Sequence, residues 1–133
     1  MKNNNNDYTQ HYDEEKFFKK LGKFAKKIGA KIVYYLLILF YTLQDPSVPA
    51  KYKVAITGAL GYFILPFDFV PDMAPVAGHA DDMSMIVSAL VSVLFYINPS
   101  IKAKARQKMK DIFGNGIEKD IEIYDEELEA KKQ

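Results

Sequence analysis

The chain has 133 residues, enough for one domain with a modest core. It contains no cysteine, which excludes disulfides, zinc–thiolate sites and thiol catalysis. The net charge of +1 hides a segregation: residues 1–27 carry seven lysines and four acids, 28–101 three lysines and five acids, and 102–133 eight basic and eight acidic residues. The middle of the chain is therefore an apolar unit between charged flanks. Met1 to Asp13 is rich in asparagine and has no apolar spacing, so 1–13 reads as a disordered tail. It is not a secretory signal peptide, because the first long apolar run begins near Ile28 and no small-residue cleavage site comes after it.

Residues 14–44 predict two helices. From Glu14 to Lys31 the apolar residues Phe17, Phe18, Leu21, Phe24, Ala25 and Ile28 recur at spacings of three and four, the signature of an amphipathic helix. The opposite face carries Lys16, Lys19, Lys20, Lys23, Lys26 and Lys27. Such a helix either docks on its own domain with its lysines in water or lies on anionic lipid, which suits a combination of Lys and Phe. The apolarity of the adjoining segment favours lipid. Ile32 to Gln44 is a continuous apolar and aromatic run that would rise about 20 Å as a helix, short of a hydrocarbon core of roughly 30 Å. That length suits a buried or partly inserted helix, with Tyr34, Tyr35 and Tyr41 fit for an interface.

Asp45-Pro46-Ser47-Val48-Pro49 breaks the chain, and a core unit is expected over 45–114. Its first helix should run from about Pro49 to Leu65 and stop at Pro66. Ala55 and Ala59, and likewise Thr57 and Gly61, stand four apart and line a face that allows close helix approach. The next helix is expected from near Asp81 to Asn98. Met83 to Ile101 is free of charge and makes the best membrane-spanning candidate. Ser84, Ser88 and Ser92 give this helix a small face of its own, so the two should pack as a hairpin, as they also would in a soluble bundle.

Asn98-Pro99 reads as a cap and a first helical position, and Gly114 as the stop. Between them Ile101, Ala105, Met109, Ile112 and Phe113 form one stripe, and Lys102, Lys104, Arg106, Lys108 and Lys110 supply a basic face suited to anionic lipid. Nucleic acid is not expected as a partner, because neither basic helix belongs to a reading motif and the chain is not strongly basic. Over 115–133, Ile117, Ile121, Tyr124 and Leu128 at helical spacing among acids predict an acidic helix leaning on the basic one. Lysines before the hairpin, basic residues after it and acids at its turn place both hairpin ends on the cytoplasmic side of a membrane.

The turn itself is the densest feature. Phe63 to Asp82 sets Asp68, Asp72, Asp81 and Asp82 and the prolines Pro66, Pro71 and Pro75 in apolar sequence, so each carboxylate must be wet, paired, capping or bound to a cation. Pro66-Phe67-Asp68-Phe69-Val70-Pro71-Asp72, then Ala74-Pro75-Val76, Gly78 and Asp81-Asp82, resembles the signature of the YkvA-like family, a small domain of unknown function. Phe69-Val70 replaces the usual Leu-Ile, and Ala74 stands where a larger aliphatic is common. The flanking helices extend the likeness over roughly Pro49 to Ile97. The resemblance implies membrane association, because members are commonly expected to be membrane-embedded and related domains occur fused to membrane-bound RING-type ubiquitin ligases. It implies no activity.

Asp81 and Asp82 suit a helix start, where carboxylates accept backbone N–H groups and meet the positive dipole end, while Pro66, Pro71, Pro75 and Gly78 fix the path of the link. The alternative is a hard-cation site for Mg²⁺, Mn²⁺ or Ca²⁺ with Asp68, Asp72, Asp81 and Asp82 as ligands, although no spacing such as an EF-hand is present. His79 beside the pair reads as an ordinary polar loop residue. No nucleophile elbow, phosphate-cradling loop or zinc-protease motif occurs, and the second histidine, His11, lies in the tail. The sequence thus predicts an all-α, membrane-associated, non-enzymatic module without cofactor, with a central hairpin around a Pro/Asp-rich turn and basic amphipathic flanks. It should bind anionic lipid and a protein partner or a second copy. A divalent-metal-dependent membrane enzyme and a soluble helical bundle are the alternatives.

Overall fold

Ala30–Gln44, the most apolar stretch of the chain, forms helix α1 at the centre of the molecule. The structure is a computed structural model that describes residues 29–69 and 79–132, with Glu15, Phe18, Lys19, Leu21, Gly22 and Ala25; at 62–69 and 79–83 it describes the backbone alone. Every residue of α1 from Ile32 to Leu39 is buried, as is Thr42. A helix that is apolar all round must be covered all round, and four further helices do so: α2 (Ala50–Phe69), α3 (His79–Ser92), α4 (Pro99–Phe113) and α5 (Glu118–Ala130). The fold is all-α among the described residues, as expected.

The helices make two hairpins with α1 between them. α2 packs on α3, α4 packs on α5, and all four pack on α1, whereas the two hairpins hardly touch each other. Ile56 and Leu60 of α2 and Ile86 and Leu90 of α3 bury one side of α1. Ile101, Ala105 and Met109 of α4 with Ile121 and Leu128 of α5 bury the other. These inward residues recur every three to four or seven to eight positions, the helical period that the sequence displays. Leu21 and Ala25 join the same core, and Phe18 packs on it with its ring 5.1 Å from Phe40 and 6.0 Å from Tyr41.

Junctions are set by local chemistry. Gly29 (φ 100) precedes α1 and Gly114 (φ 90) follows α4, both in backbone conformations that side chains other than glycine's disfavour. Asp45 accepts from the Ser47 amide at 2.8 Å and its hydroxyl at 2.6 Å, closing the turn after α1. Asn98 caps α4 as expected: its Oδ1 accepts from the Ile101 amide at 2.9 Å, with Pro99 at the first position. Its Nδ2 also donates to Asp45 Oδ2 at 2.9 Å, tying the start of the second hairpin to the end of α1.

Three boundaries differ from the sequence expectation. α2 does not stop at Pro66 but runs to Phe69, because proline removes one backbone donor while its fixed φ remains helical. α3 begins two residues ahead of Asp81, at His79. It ends at Ser92, not Asn98: a 3-10 turn over Leu94–Tyr96 and an extended Ile97 carry the chain to the Asn98 cap. Met83 to Ile101 is therefore not one helix, and among the described residues no helix is long and apolar enough to cross a membrane. The transmembrane expectation for the hairpin is corrected accordingly. The 1–13 tail lies outside the described residues.

Candidate functional site

The outward surfaces of the two hairpins have opposite chemistry. Among the described side chains, those exposed beyond Lys51 on α2 are Val54, Ala55, Thr57 and Gly58, and on α3 and the turn after it Ser84, Met85, Ser88, Val91, Ser92 and Phe95. None is ionisable. Four are large and apolar, with Phe95 83% exposed, Val54 73%, Val91 47% and Met85 38%. Between the helices runs an open groove of about 500 Å³ with a floor of small residues, Ala55, Gly58, Ala59, Ser88, Ala89 and Ser92, so the alanine and serine spacings seen in the sequence do bring two small faces together. The Thr57 hydroxyl donates to the Lys53 carbonyl at 2.8 Å and the Ser92 hydroxyl to the Ala89 carbonyl at 2.6 Å, which satisfies both polar groups within their own helices. At the base of this hairpin the Tyr52 and Tyr96 rings lie 5.5 Å apart, with Lys51 Nζ 5.0 Å from the Tyr52 ring centre.

On α4 and α5 charged side chains are many, and most of those on α4 meet a partner. Lys102 Nζ lies 3.0 Å from Glu129 Oε1, Arg106 Nη2 3.3 Å from Asp125 Oδ2, and Lys110 pairs with Glu118. Lys31 of α1 pairs with Glu127. Lys108 lies 4.0 Å from Asp111 and covers the Phe18 ring at 4.3 Å. Hydrogen bonding and charge from Lys110 hold the Glu118 carboxyl below the usual range, and Lys102 with Lys132 does the same for Glu129. The basic face of α4 is thus largely answered from within the molecule, and Lys104 stands exposed on it.

The Pro/Asp motif is only partly visible. Pro66 and Asp68 lie in the last turns of α2, and Asp81 and Asp82 are the third and fourth residues of α3, inside its first turn and not ahead of it. Pro71, Asp72, Pro75 and Gly78 lie outside the described residues. The hairpin topology brings Asp68, Asp81 and Asp82 to one end, opposite the Tyr52–Tyr96 base. Among the described residues no group of metal-ligating side chains is assembled. Of the lysines assigned to lipid in the amphipathic N-terminal stretch, Lys19 is exposed, while Lys20, Lys23, Lys26 and Lys27 lie outside the described residues.

One polar cluster was not legible in the sequence. Tyr34, fully buried in α1, donates from its hydroxyl to Asp125 Oδ1 at 2.5 Å across 91 residues of sequence, and the same carboxylate meets Arg106. Burial first, then the bond to Asp125, pushes the Tyr34 hydroxyl far above its ordinary range. Its neighbour Tyr35 is buried with no hydrogen-bond partner for its hydroxyl among the described residues, and burial together with Glu127 pushes it up to about 12. Nothing in the spacing of an apolar run marks which tyrosine finds a partner.

A family model described as a protein of unknown function, DUF1232, matches residues 52–88, which takes in α2 from Tyr52, the link with the Asp/Pro motif and α3 as far as Ser88. No curated protein and no solved structure matches the chain.

Proposed function

We propose that this chain is a membrane-associated module, YkvA-like in its Pro/Asp-rich link, that anchors or recruits partners at the cytoplasmic face of a membrane and catalyses no reaction itself. The observation that carries the membrane reading is the outer α2–α3 surface: four exposed large apolar side chains on the two helices and the turn after α3, and no ionisable group among the side chains described as exposed from Val54 to Gly58 and from Ser84 to Phe95. Water is a poor solvent for such a surface, and contiguous exposed apolar area marks a membrane or partner contact. The absence of catalysis is read from the sequence, which has no nucleophile or phosphate-binding motif and carries its carboxylates where turns and helix starts use them. In this reading both ends of the α2–α3 hairpin lie on the cytoplasmic side. Fractionation of the expressed full-length chain tests the proposal: recovery with membranes, resisting high salt and carbonate, supports it, and recovery as a soluble monomer without detergent contradicts it.

A further inference from the structure

We infer that the lipid contact is apolar insertion of the outer α2–α3 face into one leaflet, independent of lipid charge, and not electrostatic attachment through the basic helix; this rests on the membrane reading above. The two elements whose composition suits anionic lipid are each engaged in part inside the protein, with Lys19 and Lys104 left exposed. Lys102, Arg106 and Lys110 are paired with Glu129, Asp125 and Glu118, and residues 102–133 hold as many acids as bases. A lipid phosphate would have to replace a carboxylate at each of those cations, exchanging one ion pair for another. The amphipathic N-terminal stretch has its Leu21 and Ala25 buried in the core and Phe18 half-buried against Phe40, so these apolar residues already face the protein's own core.

The α2–α3 face has the opposite balance. Val54, Val91 and Phe95 project into solvent, and the Thr57 and Ser92 hydroxyls are already satisfied by their own helices, so burying this face in lipid leaves neither of them unpaired. Its rim supplies the matching head-group contacts. Lys51 stands beside the Tyr52–Tyr96 ring pair at one edge, where a lysine extends its ammonium to phosphate and a tyrosine sits with one end apolar and one wet. No acid lies on the described face to repel phosphate. One leaflet suffices, because no described helix is long and apolar enough to cross.

Flotation of the full-length chain with phosphatidylcholine vesicles, with and without added phosphatidylglycerol, separates the mechanisms. Binding should change by less than about threefold on adding the anionic lipid or on raising salt to ~1 M, where charges are screened within ~3 Å. The variants Val54→Glu and Val91→Glu, both at exposed positions and checked by an unchanged melting curve, should each bind about tenfold more weakly or worse, since an apolar contact is lost and a carboxylate enters the interface. Binding confined to anionic vesicles and released by salt would overturn this inference and leave the membrane reading standing, as would unaltered binding by both variants. No binding to either vesicle, with a dimer in solution that Val54→Glu dissociates, would overturn both and assign the face to a second copy.

Discussion

The two hairpins solve the same problem inward and differ outward. Each lays an apolar stripe on α1, Ile56 and Leu60 with Ile86 and Leu90 on one side, Ile101 and Met109 with Ile121 and Leu128 on the other. Outward, α4 and α5 hold each other with carboxylates and cations, whereas α2, α3 and the turn after α3 present valine, methionine, Phe95 and small residues to solvent. The inward pattern determines where the helices go, and the outward pattern determines what else the molecule touches. A stripe of basic residues is therefore not by itself a lipid-binding face: on α4 it is the counterpart of α5.

The shared dependence on α1 is the strongest link between the two regions, and breaking it should give the largest effect. Leu37→Ala, at a fully buried site, should cost about 3 kcal/mol through lost transfer energy and a cavity. Urea unfolding should remain a single transition, because both hairpins pack on this helix; two separate transitions would mean that the hairpins are stable independently of each other.

Next in size is the contrast between the adjacent tyrosines on the α5 side. Tyr34→Phe removes the bond to Asp125 and should cost about 2 kcal/mol, the range for hydrogen bonds to charged groups. Tyr35→Phe removes a buried hydroxyl that has no partner among the described residues and should be neutral or stabilising. The same pair predicts an alkaline limit. Both hydroxyls ionise at higher pH folded than unfolded, so their contribution is complete below the ordinary value of 10.0 and is lost as pH rises beyond it. Stability followed by urea titration should fall above that pH in the parent and fall less steeply in Tyr34→Phe.

A smaller effect is expected where the hairpins are joined. Asn98→Ala removes the cap of α4 and the tie to Asp45 and should cost about 1 kcal/mol. Asn98→Asp keeps the cap acceptor but sets a carboxylate against Asp45, so thermal melts should place it below the parent as well. The smallest effect belongs to the surface ion pairs: Lys110→Gln should shift the melting temperature little, and the difference from the parent should vanish in high salt.

Much of this fold was legible because the signals were local. The Asn98-Pro99 start and Gly114 stop of α4 are chemical instructions to the backbone, and the structure obeys both. The charge balance over 102–133 likewise pointed to an acidic helix lying on a basic one. What could not be read was where a uniformly apolar run changes geometry. Met83 to Ile101 has no charge, and neither glycine nor proline interrupts it before Pro99, yet the helix ends at Ser92, where the Val93 amide turns to the Leu90 carbonyl at 3.1 Å. The chain must leave the α3 axis there to deliver Asn98 to Asp45, a demand made by tertiary contact. The Tyr34–Asp125 bond was hidden for the same reason, since its partners are brought together only by the packing of α5 on α1.

The central claim is that the uncharged α2–α3 face, and not the charged α4–α5 face, meets the membrane. Since the chain has no cysteine, single substitutions Val54→Cys, Val91→Cys and Ile123→Cys each accept one spin label at an exposed apolar position, the last on the opposite hairpin and 52% exposed. Accessibility to a water-borne relaxation agent would then be measured with and without phosphatidylcholine vesicles. The account predicts that vesicles shield the labels at 54 and 91 and leave the label at 123 open to water. Shielding at 123 with 54 and 91 left open, or no change at any of the three, would contradict it.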